Sequence, residues 1–203
     1  TVSREEARRR LGISPADLYV LSFGGSLGAE YVNDAVVKLA SKLTENPRVR
    51  LLHAAGKRDY DRIRTDWDKT AAGGCDRMTL VDYIYDMPTQ MAAADLIIAR
   101  AGAMTLSELA GMNKASILIP SPTVADNHQY INAKTLADAG AASLVEESTL
   151  PEGRLTEEAK RLLSSLDSMR EMGGRISAFA DLDPAELIWR EICELTQKNK
   201  TKK

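Results

Sequence analysis

The sequence is poor in cysteine and histidine, and it has no long apolar run. Its two cysteines, Cys75 and Cys193, stand far apart and in no metal-binding spacing, so a reducing, cytosolic compartment is expected. No apolar run approaches the roughly 20 residues of a membrane span, and no signal peptide is visible. The formal net charge of -2 gives no broad basic surface for a nucleic-acid partner.

What the sequence does have is an alternation of short apolar runs and longer helical patterns. The continuous apolarity of the runs is typical of strands buried on both faces, as in a parallel sheet. Strand–helix–strand repetition predicts an α/β fold, a doubly wound, Rossmann-like sheet. Strands are predicted over residues 18–23, 49–55, 77–84, 95–99, 115–120 and 141–145. Helices are predicted at about 29–45, 57–70, 86–94, 104–112 and 127–139.

Beyond about residue 150 the pattern changes and predicts helices alone. Three are expected, over "RLTEEAKRLLSSL", "DSMREMGGRISAFA" and "PAELIWREICELTQ". The basic end at 198–203 is expected to be a solvated tail. Near the start, Ser3 and Glu6 predict a capping box for a first helix. The length of 203 residues suits one domain, which we place over 1–203.

The turns after the strands are the informative places, because parallel sheets bind ligands beyond the carboxyl ends of their strands. The turn "FGGSLGAE" follows the first strand and has glycines at 24, 25 and 28, which allow a ligand to approach the backbone closely. The next helix would offer its N–H groups to a phosphate. The turn fits neither G-x-G-x-x-G nor the phosphate loop with its lysine. Phosphate binding and a plain tight turn both remain open here.

A second turn, "RAGAMTLSELAG", runs from Arg100 to Gly111. Gly102 permits the bend, and Thr105 with Glu108 predicts a T-x-x-E capping box in which Thr105 is the N-cap. The alternative is a ligand site in which backbone N–H groups face a phosphate and the carboxylate accepts from a pair of sugar hydroxyls.

A third turn, "PSPTVADNHQYINA", follows the fifth strand. Asp126 or Asn127 is expected to cap the next helix. His128, Gln129 and Asn132 then lie near its start, and the last two share a face because they are three residues apart. Such side chains suit a hydroxyl-rich ligand or, equally, a solvated first turn.

Two other features invite a chemical reading that we reject. His53 ends the second strand alone and is predicted to be a packing residue. The "DLD" at 181–183 resembles a metal-binding pair, but Pro184 follows directly, so Asp183 is expected to be an N-cap. Neither a metal site nor a nucleophilic triad is predicted.

Together, "GGSLGA", "YIYDM", "ADLIIARAGAMTLSELAG" and "ILIPSPTVADNHQYINA" resemble the C-terminal, UDP-N-acetylglucosamine-binding domain of the MurG glycosyltransferase family. The resemblance covers about residues 5–195 and implies one half of a GT-B fold with C-terminal helices. That family transfers N-acetylglucosamine from UDP-N-acetylglucosamine to undecaprenyl-diphospho-muramoylpentapeptide, converting lipid I to lipid II in peptidoglycan biosynthesis. The family's N-terminal acceptor domain and its general-base histidine are expected to be absent, so no catalytic residue and no turnover are expected of this chain alone.

The resemblance also implies a role for each motif residue. Ser26, beside Gly25, would contact the diphosphate, and the backbone of Ile84 would meet uracil. Glu108 would bind the ribose hydroxyls; we expect it to cap its own helix when the site is empty. The implied substrate-binding set is Gly25, Ser26, Ile84, Arg100, Gly102, Ala103, Met104, Thr105, Glu108, His128, Gln129 and Asn132.

Within that set, Ala103, Met104 and Thr105 would present N–H groups to phosphate, and Arg100 would brace the turn. Gln129, with its two polar neighbours in the third turn, would bind the sugar and the diphosphate. UDP-N-acetylglucosamine is then a substrate, and no tightly bound cofactor is expected. The lipid-linked acceptor and the membrane would be reached through the missing domain, at the inner, cytoplasmic face of the plasma membrane.

Other hypotheses remain open at this point. The chain would also fit the stand-alone catalytic subunit of a two-subunit, lipid-linked N-acetylglucosaminyltransferase, or a non-catalytic UDP-sugar-binding module. A dinucleotide oxidoreductase is disfavoured because the fingerprint glycines and the acidic residue after the second strand are lacking. The last helix is expected to expose an apolar face at Leu187, Ile188 and Ile192, because in the family it crosses to the other domain.

Overall fold

The computed structural model describes residues 2–180, in which strands and helices alternate as predicted. The strands are β1 (Leu18–Phe23), β2 (Val49–Ala54), β3 (Met78–Val81), β4 (Leu96–Ala99), β5 (Ala115–Leu118) and β6 (Ser143–Leu144). The helices are α1 (Arg4–Arg10), α2 (Glu30–Leu43), α3 (Tyr60–Asp68), α4 (Met87–Ala93), α5 (Ala103–Gly111), α6 (His128–Asp138), α7 (Arg154–Leu163) and α8 (Leu166–Ile176).

The strands form one parallel sheet in the order β3-β2-β1-β4-β5-β6. The chain first builds outward from β1 to β3, then returns to the other side of β1 and builds from β4 to β6. The predicted doubly wound, Rossmann-like sheet is therefore confirmed. The order reverses between β1 and β4, and open sheets of this kind bind ligands at such a reversal.

Both faces of the sheet are covered, which explains why the strands read as continuous apolar runs. Successive strand residues alternate between two cores: Val20 and Ile98 pack with α2, α3 and α7 on one face, while Leu21 and Ile97 pack with α4, α5 and α6 on the other. All four of these side chains are fully buried. The sheet is thus the rigid platform whose carboxyl edge carries the turns.

The strands at the sheet edges are shorter than predicted. β3 ends at Val81 instead of residue 84, and β6 has two residues, because each pairs with one neighbour only. β5 ends at Leu118, just before Pro120, which has no N–H to donate to the ladder. The early end of β3 leaves "YIYD" in the turn at the carboxyl edge.

At the two ends of the described chain the predictions fare differently. α7 and α8 confirm the first two of the three C-terminal helices. Ser3 caps α1, since its hydroxyl accepts from the Glu6 amide at 3.2 Å, but the Glu6 carboxylate binds Arg9 and Arg10 and does not close the box.

The predictions that lie outside the described residues concern the third helix, Asp183, the face at Leu187, Ile188 and Ile192, Cys193 and the tail at 198–203. Among residues 2–180, no helix combines the length and apolarity needed to cross a bilayer.

A buried arginine fastens α1 to the amino edge of the sheet. Arg8 is 4% exposed, and it donates to the Asp95 carboxylate at 3.0 Å and to the backbone carbonyls of Ala93, Ser14 and Asp17. Its removal would leave a carboxylate and three carbonyls short of donors.

Replacing Arg8 by methionine is therefore expected to lower the free energy of unfolding by about 3 kcal/mol, as breaking a buried pair does. The matched control is Arg9→Met, because Arg9 is exposed and paired only with Glu6 on the surface; its expected cost is below about 0.5 kcal/mol. Denaturant unfolding followed by circular dichroism measures both. Equal losses in the two variants would contradict the buried role.

Candidate functional site

The candidate site lies where the strand order reverses, at the carboxyl ends of β1 and β4. These strands are paired in register, and their last residues, Phe23 and Ala99, are partners. The turns that leave them, from Gly24 and from Arg100, therefore start side by side. The sheet thus brings together the first two turns that the sequence singled out.

The turn after β1 is tight and exposed at its tip. The Gly28 amide donates to the Gly25 carbonyl at 3.1 Å, and Ser26 and Leu27 stand in solvent between them. Gly25 has φ +101, a conformation that favours glycine. The Ser26 hydroxyl has no partner among residues 2–180. α2 follows with Ala29 at its N-cap and no side-chain cap, so its amino end also faces solvent.

The turn after β4 ends in a second uncapped helix. Gly102, in extended conformation, is the N-cap of α5, and no side chain caps it. The first amide bonded within the helix is that of Leu106, to the Gly102 carbonyl. Within the described chain, the three preceding amides, those of Ala103, Met104 and Thr105, have no acceptor. Met104 itself is 80% exposed.

The predicted capping box in this turn is wrong. Thr105 is the third residue of α5 and not its N-cap, and a residue with helical backbone angles cannot cap the helix it belongs to. Glu108 is exposed, and no hydrogen bond joins it to the Thr105 amide. The expectation that Glu108 caps the helix in the empty site is therefore also wrong: its carboxylate is free in solvent.

Arg100 holds the turn after β4 against the neighbouring turns. Its guanidinium donates to the carbonyls of Ile119 (3.2 Å) and Pro120 (3.1 Å), and it forms an ion pair with Glu147. Three segments after β4, β5 and β6 are joined in this way. The arginine thus stabilises the turn after β4 through its contacts with the turns after β5 and β6.

Ile84 lies in the turn after β3, at the same carboxyl edge of the sheet. Its side chain is buried and packs in the same apolar cluster as Phe23 and Ala101, which begin or line the turns at the reversal. Its backbone N–H and carbonyl have no partner in the described part of the chain.

The third predicted turn leads into α6, whose first residues are tied to the chain itself. Asn127 occupies the N-cap with φ +51 but makes no side-chain cap, so the predicted position is confirmed and the predicted bond is absent. The Gln129 side-chain oxygen accepts from the Ser121 amide at 2.9 Å. Asn132 Nδ2 donates to the Ala101 carbonyl at 3.4 Å, and His128 Nδ1 lies 2.8 Å from a backbone carbonyl. The contact of Asn132 joins α6 to the turn after β4, and that of Gln129 joins it to the turn after β5.

A large cavity at this edge lies beside the predicted residues and not among them. It has a volume of about 620 Å³, and its walls include Tyr31, Pro120, Tyr130, Glu146 and Pro151. None of the twelve predicted site residues lines it. We place the candidate site over the reversal because the unpartnered amides are there.

His53, near the end of β2, is fully buried. Its Nδ1 lies 3.1 Å from the Ser22 hydroxyl and its Nε2 lies 3.1 Å from the Asn33 side-chain oxygen. Burial lowers the pKa of the imidazole to about 4, although the hydrogen bond between Nδ1 and the Ser22 backbone carbonyl (3.3 Å) acts in the opposite direction. The ring is neutral near pH 7 and touches no solvent, so the prediction of a packing residue is confirmed.

This lowered pKa makes stability depend on pH. In the unfolded chain His53 takes up a proton near pH 6.5, whereas the folded chain binds it only near pH 4, so stability is lost as the pH falls between these values. The expected loss from pH 7 to pH 5 is about 2 kcal/mol more for the wild type than for His53→Gln. Denaturant unfolding at the two pH values measures it, and equal losses would contradict a neutral buried imidazole.

The residues that sequence reasoning missed are partners of those it found. Glu147, the partner of Arg100, lies 47 positions away, and nothing local marks it. Asn33 did carry a signal, because it is a polar residue on the buried face of α2, beside Val32 and Val36. Among residues 2–180, no group of three or more histidine, cysteine, aspartate or glutamate side chains is placed to hold a metal ion.

Comparison with known proteins agrees with this geometry. At 19% identity the chain shares its fold with WaaG, a glycosyltransferase involved in lipopolysaccharide biosynthesis (TM-score 0.66, covering 89% of this chain and 47% of that one). The similarity to MurG of Acinetobacter baumannii is greater, with TM-score 0.72 and 28% identity over 88% of this chain and 49% of that one. The fold is thus one half of a GT-B glycosyltransferase.

Sequence relatives give the same result. The UDP-N-acetylglucosamine--N-acetylmuramyl-(pentapeptide) pyrophosphoryl-undecaprenol N-acetylglucosamine transferase of Acetivibrio thermocellus is 39% identical over 200 residues, 98% of this chain and 53% of that protein. The protein of the same name from Burkholderia vietnamiensis is 41% identical over 150 residues, 73% of this chain and 41% of that protein. The chain therefore spans about half the length of these relatives. Residues 19–185 match the glycosyltransferase family 28 C-terminal domain, and the chain belongs to this family.

Proposed function

We propose that this chain is the donor-binding half of an enzyme that transfers N-acetylglucosamine from UDP-N-acetylglucosamine to undecaprenyl-diphospho-muramoylpentapeptide. One observation supports this above the others. Two uncapped helix N-termini, those of α2 and α5, follow neighbouring strands on either side of the reversal in a family 28 domain. This is the arrangement that a diphosphate needs.

The diphosphate is the part of the donor whose charge grows when the sugar leaves. Free N–H groups and the positive ends of helix dipoles stabilise such charge without a metal. In our proposal the amides of Ala103, Met104 and Thr105 bind one phosphate, and the Ser26 hydroxyl and the backbone at Gly25 bind the other. Gly102, which has open space where a Cβ would be, lets the phosphate reach the helix.

The nucleoside is recognised by the turn after β3 and by the side chain of Glu108 in α5. The backbone N–H and carbonyl of Ile84 match the acceptor and donor on the edge of uracil. The Glu108 carboxylate, one helical turn beyond the open amides and free in solvent, accepts from the two ribose hydroxyls. A carboxylate has acceptor sites for both.

The sugar is held from the side of α6. Gln129 and Asn132 use one polar atom each to bind the chain, and the Gln129 amide nitrogen and the Asn132 oxygen have no partner within residues 2–180. One donor and one acceptor therefore remain for sugar hydroxyls, with His128 beside them. Arg100 positions this wall by joining the turns after β4, β5 and β6.

The transfer itself needs a second half, since the relatives are about twice as long. The acceptor hydroxyl must lose a proton to a general base, and His53 is sealed and neutral. We therefore assign the base, the lipid-linked acceptor and the contact with the membrane to a partner half, at the inner, cytoplasmic face of the plasma membrane. The chain alone binds the donor without turning it over.

Titration calorimetry of the 203-residue chain tests the donor site. UDP is expected to bind, and ADP is expected to bind at least tenfold more weakly, because adenine cannot pair with the Ile84 backbone as uracil does. Absence of heat with millimolar UDP would contradict the proposal, as would equal binding of the two nucleotides.

A second experiment separates the transferase from a non-catalytic UDP-sugar-binding module. The chain is mixed with the separately purified amino-terminal half of a MurG relative, and formation of lipid II from lipid I is followed. The transferase proposal predicts product only when both halves are present. Donor binding with no product in any mixture would favour the module.

A further inference from the structure

A buried chain of polar side chains connects the glycine-rich turn to the sheet beneath it. It runs from Ser22 in β1 through His53 in β2 to Asn33 in α2, and all three side chains are fully buried. Asn33 Nδ2 then donates to the Ala55 carbonyl at 2.9 Å and to the Asp59 carboxylate at 3.2 Å.

The partners fix the donors and acceptors of this chain from Asp59 to the Nε2 of His53. The carbonyl of Ala55 and the carboxylate of Asp59 only accept, so Asn33 must turn its Nδ2 towards them and its oxygen towards His53. In the neutral ring Nε2 then carries the proton, and Nδ1 accepts from the Ser22 hydroxyl at 3.1 Å. The Ser22 carbonyl also lies 3.3 Å from Nδ1, and in this tautomer it receives no proton from the ring. These buried contacts connect β1, β2 and α2.

The segments that this chain joins surround the glycine-rich turn. Ser22 lies two residues before Gly24, and Asn33 lies in the first turns of α2. The turn from Gly24 to Ala29 is therefore flanked on both sides by a residue of the buried polar chain. The Ala55 carbonyl, which accepts from Asn33, lies so close to Gly28 that a Cβ on Gly28 would overlap with it. In the same way, a Cβ on Gly56 would overlap with the Gly28 backbone. The two turns are thus in direct backbone contact.

Resting on the proposed function, we infer that Ser22, His53 and Asn33 are positioning residues for the donor's diphosphate. They fix the position of the turn after β1 and of the amino end of α2, so that the Ser26 hydroxyl and the helix amides can bind the phosphates. They touch no part of the donor. Their loss moves these donors without disturbing Ile84, in the turn after β3, or Glu108, in α5.

The test compares UDP with uridine, which lacks the phosphates, by NMR titration of the 203-residue chain. The ratio of the two affinities measures the contribution of the diphosphate. Ser22→Ala removes one buried oxygen and is expected to lower UDP affinity about threefold; His53→Leu is expected to lower it about tenfold. Uridine affinity is expected to stay unchanged in both. His53→Gln keeps a donor for Asn33 and is expected to recover part of the loss.

Ser116→Ala is the matched control. Ser116 is likewise a fully buried serine on a strand of the same sheet, in β5, but its hydroxyl has no partner in the described residues. The ratio is expected to be that of the wild type. Should His53→Leu fail to fold, the comparison of Ser22→Ala with Ser116→Ala decides alone.

Two results overturn the inference while leaving the donor site intact. One is an equal fall of UDP and uridine affinity in Ser22→Ala, which would indicate a general structural role. The other is an unchanged ratio in Ser22→Ala, as in the control. Absence of UDP binding by the wild type would instead contradict the proposed function itself.

Discussion

Replacing Glu108 by alanine is expected to weaken UDP binding about thirtyfold and to leave pyrophosphate binding unchanged. Hydrogen bonds to a charged acceptor contribute about 2 kcal/mol when no other group replaces that acceptor in the variant. This free energy corresponds to about thirtyfold in affinity. Pyrophosphate carries no ribose, so it does not contact the carboxylate. Calorimetric titration with the two ligands measures the difference.

The control for this experiment is Glu157→Ala. Glu157 is an exposed glutamate of a helix, in α7, paired only with Arg154 on the surface. Its removal changes the net charge by the same amount, on a different helix. A similar gain or loss for both ligands in both variants would show a long-range charge effect and would exclude a ribose contact at Glu108.

Replacing Gly28 by alanine is expected to lower the free energy of unfolding by about 3 kcal/mol or more and to abolish UDP binding at concentrations that saturate the wild type. Gly28 has φ +88, and a Cβ there would overlap with the Ala55 carbonyl oxygen. The free-energy cost of alanine at this position therefore includes both backbone strain and a steric clash. The chain can relieve the clash only by moving the glycine-rich turn.

Gly153→Ala separates the clash from the strain. Gly153 also has φ +88, but a Cβ there meets nothing within 4 Å. Its expected cost is about 1 kcal/mol, with UDP affinity unchanged. Thermal and denaturant unfolding together with UDP titration measure both variants. An equal loss of unfolding free energy in the Gly28→Ala and Gly153→Ala variants would contradict the close contact between the turns after β1 and β2.

The strands were predictable because burial on both faces leaves a local mark. Each of the six apolar runs became a strand. The register that pairs Phe23 with Ala99 was not predicted and is seen only in the assembled sheet. The ends of β3 and β6 were not predictable, because they depend on how many neighbours a strand has in the sheet. That information is absent from the run itself.

The start of α5 shows the same limit at the site. The pattern from Thr105 to Glu108 suits a helix start, and the same kind of pattern places Ser3 correctly at α1. In α5 the helix begins earlier, at Ala103, with Gly102 as its N-cap. The local T-x-x-E pattern therefore put the cap three residues too late. Arg100, just before this cap, is bound to carbonyls after β5 and to Glu147, and these partners are distant in sequence.

The candidate site was predictable as a set of turns and not as a set of contacts. Glycines, hydroxyls and the motif order identified the turns after β1, β3, β4 and β5. The attachment of Gln129 to Ser121 and of Asn132 to Ala101 arises only when the strands are side by side. The buried support under the glycine-rich turn is equally non-local, since Asn33 and His53 belong to different elements.

A crystal structure of the chain with UDP tests the central claim most directly. The diphosphate is predicted to lie within hydrogen-bond distance of the Ala103, Met104 and Thr105 amides, with uracil on the Ile84 backbone and ribose on Glu108. UDP bound instead in the cavity between Tyr31 and Tyr130, with the α5 amides still free, would contradict it.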